Sequence, residues 1–228
     1  MSITSPVPPS KQAAVLKHVT EPDLATRTKV IAVLAIVSAI ISAVTIKWEM
    51  LGPLTAVFGP IPALAFGAVI AFAMYQAGIR DKFHLAFVVL LTLGVWICAQ
   101  HTGVNVFNFI DRIIKTPTQD GVGTDAWLVT NRGNFASFTA YFIGGLVGGL
   151  GMFVQTAFVA KPLRKVETCM KLAATGGICA LVFCTLSTII PFGSLESFVL
   201  FLVWQVPVAV ILARSLGAPL VHDSSKSL

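Results

Sequence analysis

Charge is what this sequence has least of. Only 11% of its 228 residues are Asp, Glu, Lys or Arg, while 56% are hydrophobic. A soluble domain carries about 25% charged residues. No water-soluble core of this size hides so much apolar surface, so lipid is the expected solvent for most of the chain. The location of the missing charge matters as much as its amount. No Asp, Glu, Lys, Arg or His lies deep within any of the long apolar runs. Proton-coupled pumps, voltage sensors and intramembrane acid–base enzymes depend on such residues. An enzyme acting on lipid would lack its acid and base here, so no enzyme is expected.

Other absences narrow the field further. There is no G-x-S-x-G elbow, no H-E-x-x-H pair and no P-loop, which leaves no motif for a catalytic nucleophile, a zinc protease or a nucleotide. His84 and His101 fall at opposite ends of one apolar run, and His18 and His222 lie in the tails. They cannot clamp one iron, so neither a metal nor another cofactor is expected. The four cysteines, Cys98, Cys169, Cys179 and Cys184, form no C-x-x-C pair, and free thiols are expected. The opening stretch, Met1 to Thr28, is polar and holds Pro6, Pro8, Pro9 and Pro22. It has no signal-peptide pattern and reads as a tail, with a short surface helix over 10–19.

Apolar runs are what the chain has instead. Six of them, 30–46, 60–77, 83–99, 138–160, 172–190 and 197–213, have the length and composition of transmembrane helices. The fold class expected is therefore all-α: a polytopic bundle of six transmembrane helices over 29–214, between tails 1–28 and 215–228. Small residues recur every four positions along these runs, as in Ala35 and Ala39, Ala63 and Gly67, and Gly176 and Ala180. The barest row is in the fourth run, where Gly144/Gly148 and Gly145/Gly149 form two G-x-x-x-G pairs one residue apart. In lipid the backbone must satisfy its own hydrogen bonds, so this run is still helical. Its missing side chains let another helix approach closely, whether from this chain or from a partner.

Two segments between the runs stand out. Residues 50–59 are apolar but broken by Gly52 and Pro53, reading as a folded-back loop or as early turns of the next helix. Residues 102–134 form the one long polar connection. Within it, 104–115 is amphipathic: Asn105, Asn108, Asp111 and Arg112 share one side. A separate helix lying flat at the membrane surface is expected there, as a solvated face or a docking surface. Lys and Arg set the orientation. With both termini inside, the inner segments hold 12 of the 16 basic residues, as cytoplasmic loops should. The net charge of +6 thus reads as topology, and nucleic acid is not an expected partner. The expected location is a bacterial cytoplasmic membrane with both termini cytoplasmic. Membrane lipids, and either other subunits or further copies of the chain, are the expected partners.

The polar residues left at depth are neutral. Gln205 lies in the sixth run beside Trp204, two residues before Pro207, and Gln155 lies in the fourth. Each is either interhelical glue or a solute contact. Trp48 and Glu49, just outside the first run, are candidates to cap an outward-opening cavity. Ser38 and Ser42 have no base near them and are expected to bond to their own helix backbone or across a close helix contact. Two functions fit. One is a small-solute transporter or channel, or the membrane-embedded substrate-binding subunit of a transporter. The other is a non-catalytic accessory subunit of a larger membrane complex. The first requires a polar-lined internal pocket near Gln205 or under Trp48. The second requires a filled interior and glycine faces turned outward.

Overall fold

The computed structural model describes residues 23–50, 60–115 and 126–217; the side chains of 47–50, 115 and 126–130 are outside that description. Most of both tails, the helix expected over 10–19, the broken segment 51–59 and the loop 116–125 lie outside it as well. Six α-helices make up nearly all of the described chain: α1 Leu24–Met50, α2 Pro60–Gln76, α3 Lys82–Lys115, α4 Ala126–Val159, α5 Val166–Ile189 and α6 Glu196–Leu216. No strand occurs among the described residues. Five of the helices are long and apolar enough to cross a membrane. Their number and composition mark the chain as a multi-pass membrane protein.

Local chemistry sets the helix ends. The Asp23 carboxylate accepts a hydrogen bond from the Thr26 amide at 2.6 Å and starts α1, so residues 24–28 join the helix rather than the tail. Gly78, at φ 95°, turns the chain out of α2. The Asp81 carboxylate then accepts the Phe83 amide at 2.9 Å and starts α3. Arg164 folds back to donate to the carbonyls of Ala157 at 2.8 Å and Phe158 at 3.1 Å. It thereby satisfies two otherwise unpaired groups at the end of α4 and places a cation at the negative end of that helix.

The Asp81 cap is pH-sensitive. Its pKa lies below the usual carboxylate range, first because it accepts the Phe83 amide and then because it bonds the His84 side chain. A carboxylate with a lowered folded pKa stabilises fully above its unfolded pKa, and that support is lost as pH falls through the folded value. Loosening of the α2–α3 turn is therefore expected below about pH 4. Hydrogen-exchange protection factors at Phe83 and His84 should fall with it, and Asp81→Asn, which keeps a capping oxygen, should remove the pH dependence of that protection. Protection factors that stay flat between pH 6 and 3 in the native chain would contradict this.

Each helix packs on its neighbours in sequence, and α6 returns to α1 to close a ring. Consecutive helices run antiparallel, so the starts of α1, α3 and α5 share a face with both ends of the described chain, where Arg27 donates to the Gly217 carbonyl at 3.4 Å. The short α2 sits inward, touching α1, α3 and α6. At 17 residues it is about 25 Å long, short of the ~30 Å hydrocarbon core. Protein covers much of it, since Phe66, Ile70 and Met74 are almost fully buried. A short helix is tolerated where protein rather than lipid surrounds it.

The structure alters one expectation about the long polar connection. Residues 104–115 are helical, but they continue α3 without a break instead of lying apart from it. Residues 126–137, expected as loop and helix approach, already belong to α4. The two extensions pair. Arg132 approaches Asp111 at 3.7 Å, and Ile114 and Ala136 are buried. At 34 residues each, α3 and α4 are about 51 Å long and exceed the hydrocarbon thickness by some 20 Å.

The glycines of α4 divide between two faces. Gly145 and Gly149 lie against α5, where an added Cβ would sit on the Gly176 and Leu172 carbonyl oxygens. Gly144, Gly148 and Gly151 face α3 and α6: an added Cβ would meet the Ala99 carbonyl at 3.1 Å, the Trp204 ring at 2.9 Å and the Val95 side chain at 2.7 Å. All five therefore meet atoms of this same chain. Ala35 and Ala39 of α1 are fully buried. The bulky residues beside them, Val33, Ile36, Val37 and Ile40, are turned outward.

Candidate functional site

The ring does not close solid. Between α2, α3, α4 and α6 lies a cavity of ≈ 360 Å³, in the half of the bundle away from the chain ends. Its walls are aromatic. Phe66 and Trp204 form one tilted pair, with centroids 5.6 Å apart. Trp96 and Phe201 form another at 5.5 Å. Phe107 and Tyr141 complete the rim, while Gly144, Gly145 and Gly148 leave the α4 wall thin. Among the described residues, no Asp, Glu, Lys, Arg or His lines this space.

Two hydroxyl–amide pairs sit at its inner end. The Ser42 hydroxyl donates to the Ser38 carbonyl at 2.7 Å, the backbone bond expected of it; the Ser38 hydroxyl, expected to do the same, is buried with no hydrogen-bond partner among the described residues. With its one proton committed, the Ser42 oxygen can only accept, and it takes the Gln205 Nε2–H at 3.3 Å. The same logic holds across the bundle. Thr92 donates to the Val88 carbonyl at 2.8 Å and accepts from Gln155 Nε2 at 2.9 Å. Each amide is thus oriented nitrogen-to-hydroxyl, and each Oε1 is left buried without a hydrogen-bond partner among the described residues. The Trp96 indole nitrogen is likewise buried and unpaired. An unsatisfied buried polar atom costs about 1–3 kcal/mol, so two acceptors and one donor are held here at a cost to stability.

The sequence-expected residues are distributed unevenly around this cavity. Trp204, Gln205, Gly144, Gly145, Gly148, Ala63 and Ala180 all line it. Gln155 is 3% exposed and joins it only through Thr92. Gly67, Gly149 and Gly176 lie at helix–helix contacts, and Ala35 and Ala39 lie in the α1 seam. Trp48 and Glu49 belong to the last turn of α1, at the same end of the bundle as the cavity, but their side chains lie outside the described residues. Asn105, Asn108, Asp111 and Arg112 sit on the α3 extension, away from Gln205. Asn105, Asn108 and Arg112 are exposed there. Sequence reasoning missed Phe66, Thr92, Trp96 and Phe201. Trp96 gave no signal, because it stands three residues before the expected end of its apolar run, where a tryptophan is ordinary.

The four cysteines are free, and only Cys184 is buried. No group of three or more His, Cys, Asp or Glu among the described residues could hold a metal ion. The arrangement is that of a multi-pass helical membrane protein with a half-open aromatic cavity between its helices, uncharged among the described residues. The chain matches no protein-family model, no curated protein and no solved structure.

Proposed function

We propose that the chain carries a small solute across the membrane, or is the membrane-embedded solute-binding subunit of a transporter. One observation carries this reading: a half-open cavity of ≈ 360 Å³ between the helices, with Gln205 in its wall. Its lining is mostly apolar rather than the polar lining expected from the sequence, but a cavity of that size with a few fixed polar groups is the common form of a small-molecule site. The inward disposition of the α4 glycines also supports it, because a scaffold would turn its bare faces towards partners.

The basic residues suit an orientation with both termini cytoplasmic. Arg27, Lys29, Arg80, Lys82, Arg164, Lys165, Lys171 and Arg214 all belong to turns or helix ends on the chain-end face. Such a bias marks the cytoplasmic side of a membrane such as the bacterial inner membrane.

A second reading, an accessory subunit of a larger complex, has one observation of its own. The paired extensions of α3 and α4 outreach the rest of the bundle and expose Phe109, Ile113 and Phe135.

Purification in mild detergent followed by native mass spectrometry separates the two. The solute reading expects a single chain, or copies of it, with a bound small molecule. Stoichiometric foreign polypeptides and an empty cavity would favour the accessory reading instead.

A further inference from the structure

The chemistry of the cavity wall narrows the solute, on the assumption that the solute-binding reading holds. A charged solute entering this space would lose its hydration and meet no counter-charge, which is heavily unfavourable in a low-dielectric interior. A flat ring meets two tilted aromatic pairs, Phe66–Trp204 and Trp96–Phe201, that favour stacked and edge-on contacts. The polar selectivity comes from Gln205, which is 2% exposed. Its nitrogen end is committed to Ser42, whose own proton is committed to Ser38. What it has left to offer is a carbonyl oxygen, and that oxygen has no partner among the described residues. It is covered in this conformation, so a ligand's donor reaches it only once the cavity wall moves to uncover it.

We propose that the cavity takes an uncharged aromatic solute bearing a hydrogen-bond donor, and that Gln205, oriented by Ser42, is the residue that reads the donor. Ser42 does not touch the solute in this scheme. It acts as a positioning residue, fixing which end of the amide faces the ligand.

Benzamide and its near-isosteres make a direct test. Acetophenone keeps the ring and carbonyl but lacks the donor. Benzoate and benzamidine keep the plane but carry a negative and a positive charge. Cyclohexanecarboxamide keeps the amide but loses the flat ring. Equilibrium dialysis of radiolabelled benzamide against the full chain in nanodiscs, with empty nanodiscs as the partition blank, reads saturable binding. The four analogues then serve as competitors.

Benzamide should bind saturably, and each analogue should compete at least about tenfold more weakly, the order of one lost or mismatched hydrogen bond. Gln205→Leu should bring benzamide and acetophenone to the same affinity. Should that variant fail to fold, Ser42→Ala gives an independent check. It leaves Gln205 in place but frees its amide to turn, so the preference for benzamide over acetophenone should shrink.

Benzoate or benzamidine competing as well as benzamide would overturn the inference about solute class. So would a benzamide preference unchanged in both variants, or no saturable binding of benzamide at all. A small molecule co-purifying with the chain in any of those cases would leave the broader solute-binding reading standing. Its absence together with stoichiometric foreign subunits would remove that reading too.

Discussion

Replacing Gly149 with alanine is expected to damage the fold more than any other single methyl added to the helix ring. Its Cβ would be placed on the carbonyl oxygen of Leu172, and the adjacent Ala173 Cα stands only 3.0 Å away. Backbone, not a movable side-chain end, blocks the site, so α4 and α5 must separate along their contact. Gly145 and Gly176 meet one residue-row away in the same antiparallel seam, and a separation at Gly149 opens that contact as well. The expected loss is at or beyond the ~3 kcal/mol upper end of ordinary overpacking. Gly94→Ala is the matched control, since an added Cβ there meets nothing within 4 Å and the change should stay within about 1 kcal/mol of neutral. Thermal aggregation in detergent, followed by size-exclusion chromatography, compares the two. Equal thermal stability would show that the α4–α5 contact yields easily and is not what holds the ring.

The same pair of helices shows what could be read from residues alone. Apolar run length located every helix, because in lipid an uncharged run of this length has few alternatives to helix. Gln205 was also legible, since a neutral amide in the middle of such a run has few reasons to be there. The extent of α3 was not. Residues 82–99 are apolar and 104–115 are amphipathic, but both repeat with the helical period, so nothing in the phase announces whether the rod ends or leaves the membrane and continues. Placing the end at 99 put Trp96 near an interface, where tryptophan is ordinary. With α3 continuing to Lys115, Trp96 moves to mid-helix and into the cavity wall. The start of α4 was obscured by Asn131, Gly133 and Asn134, which resemble a loop. They are helical because α3 lies alongside, with Ile114 and Ala136 buried between the two.

Nor could the sequence separate the two overlapping glycine pairs. Successive helix residues are turned by about 100°, so Gly144/Gly148 and Gly145/Gly149 can serve one broad contact or two distinct ones. The structure gives them different neighbours: Ala99 and Trp204 for the first pair, Gly176 and Leu172 for the second. The cavity itself had no sequence signature. Phe66, Trp96, Tyr141 and Phe201 come from four helices and meet only when the ring closes.

That division yields the second large effect, from the residue beside the first. Gly148→Leu is expected to abolish solute binding while leaving the bundle assembled. The Cβ would stand 2.9 Å from the Trp204 ring and 3.6 Å from the Ala99 Cβ, both side-chain atoms. The rest of the leucine would enter the ≈ 360 Å³ space that Gly148 lines. Trp204 must shift toward Phe66, which narrows the aromatic slot and disturbs the neighbouring Gln205. The added side chain also covers cavity wall, so part of the overpacking cost is offset and stability should fall by no more than ~1–3 kcal/mol. Saturable solute binding should weaken by well over tenfold, because the leucine occupies the volume the solute needs. Dialysis on the intact variant reads the binding, and the thermal assay used for Gly149→Ala reads the fold. If Gly148→Leu binds as the native chain does, the cavity is not the site. If it unfolds as Gly149→Ala does, both glycine faces belong to the packing seam. Adjacent residues on one helix, one governing assembly and the other governing occupancy, are the outcome that separates a solute site from a defect in packing.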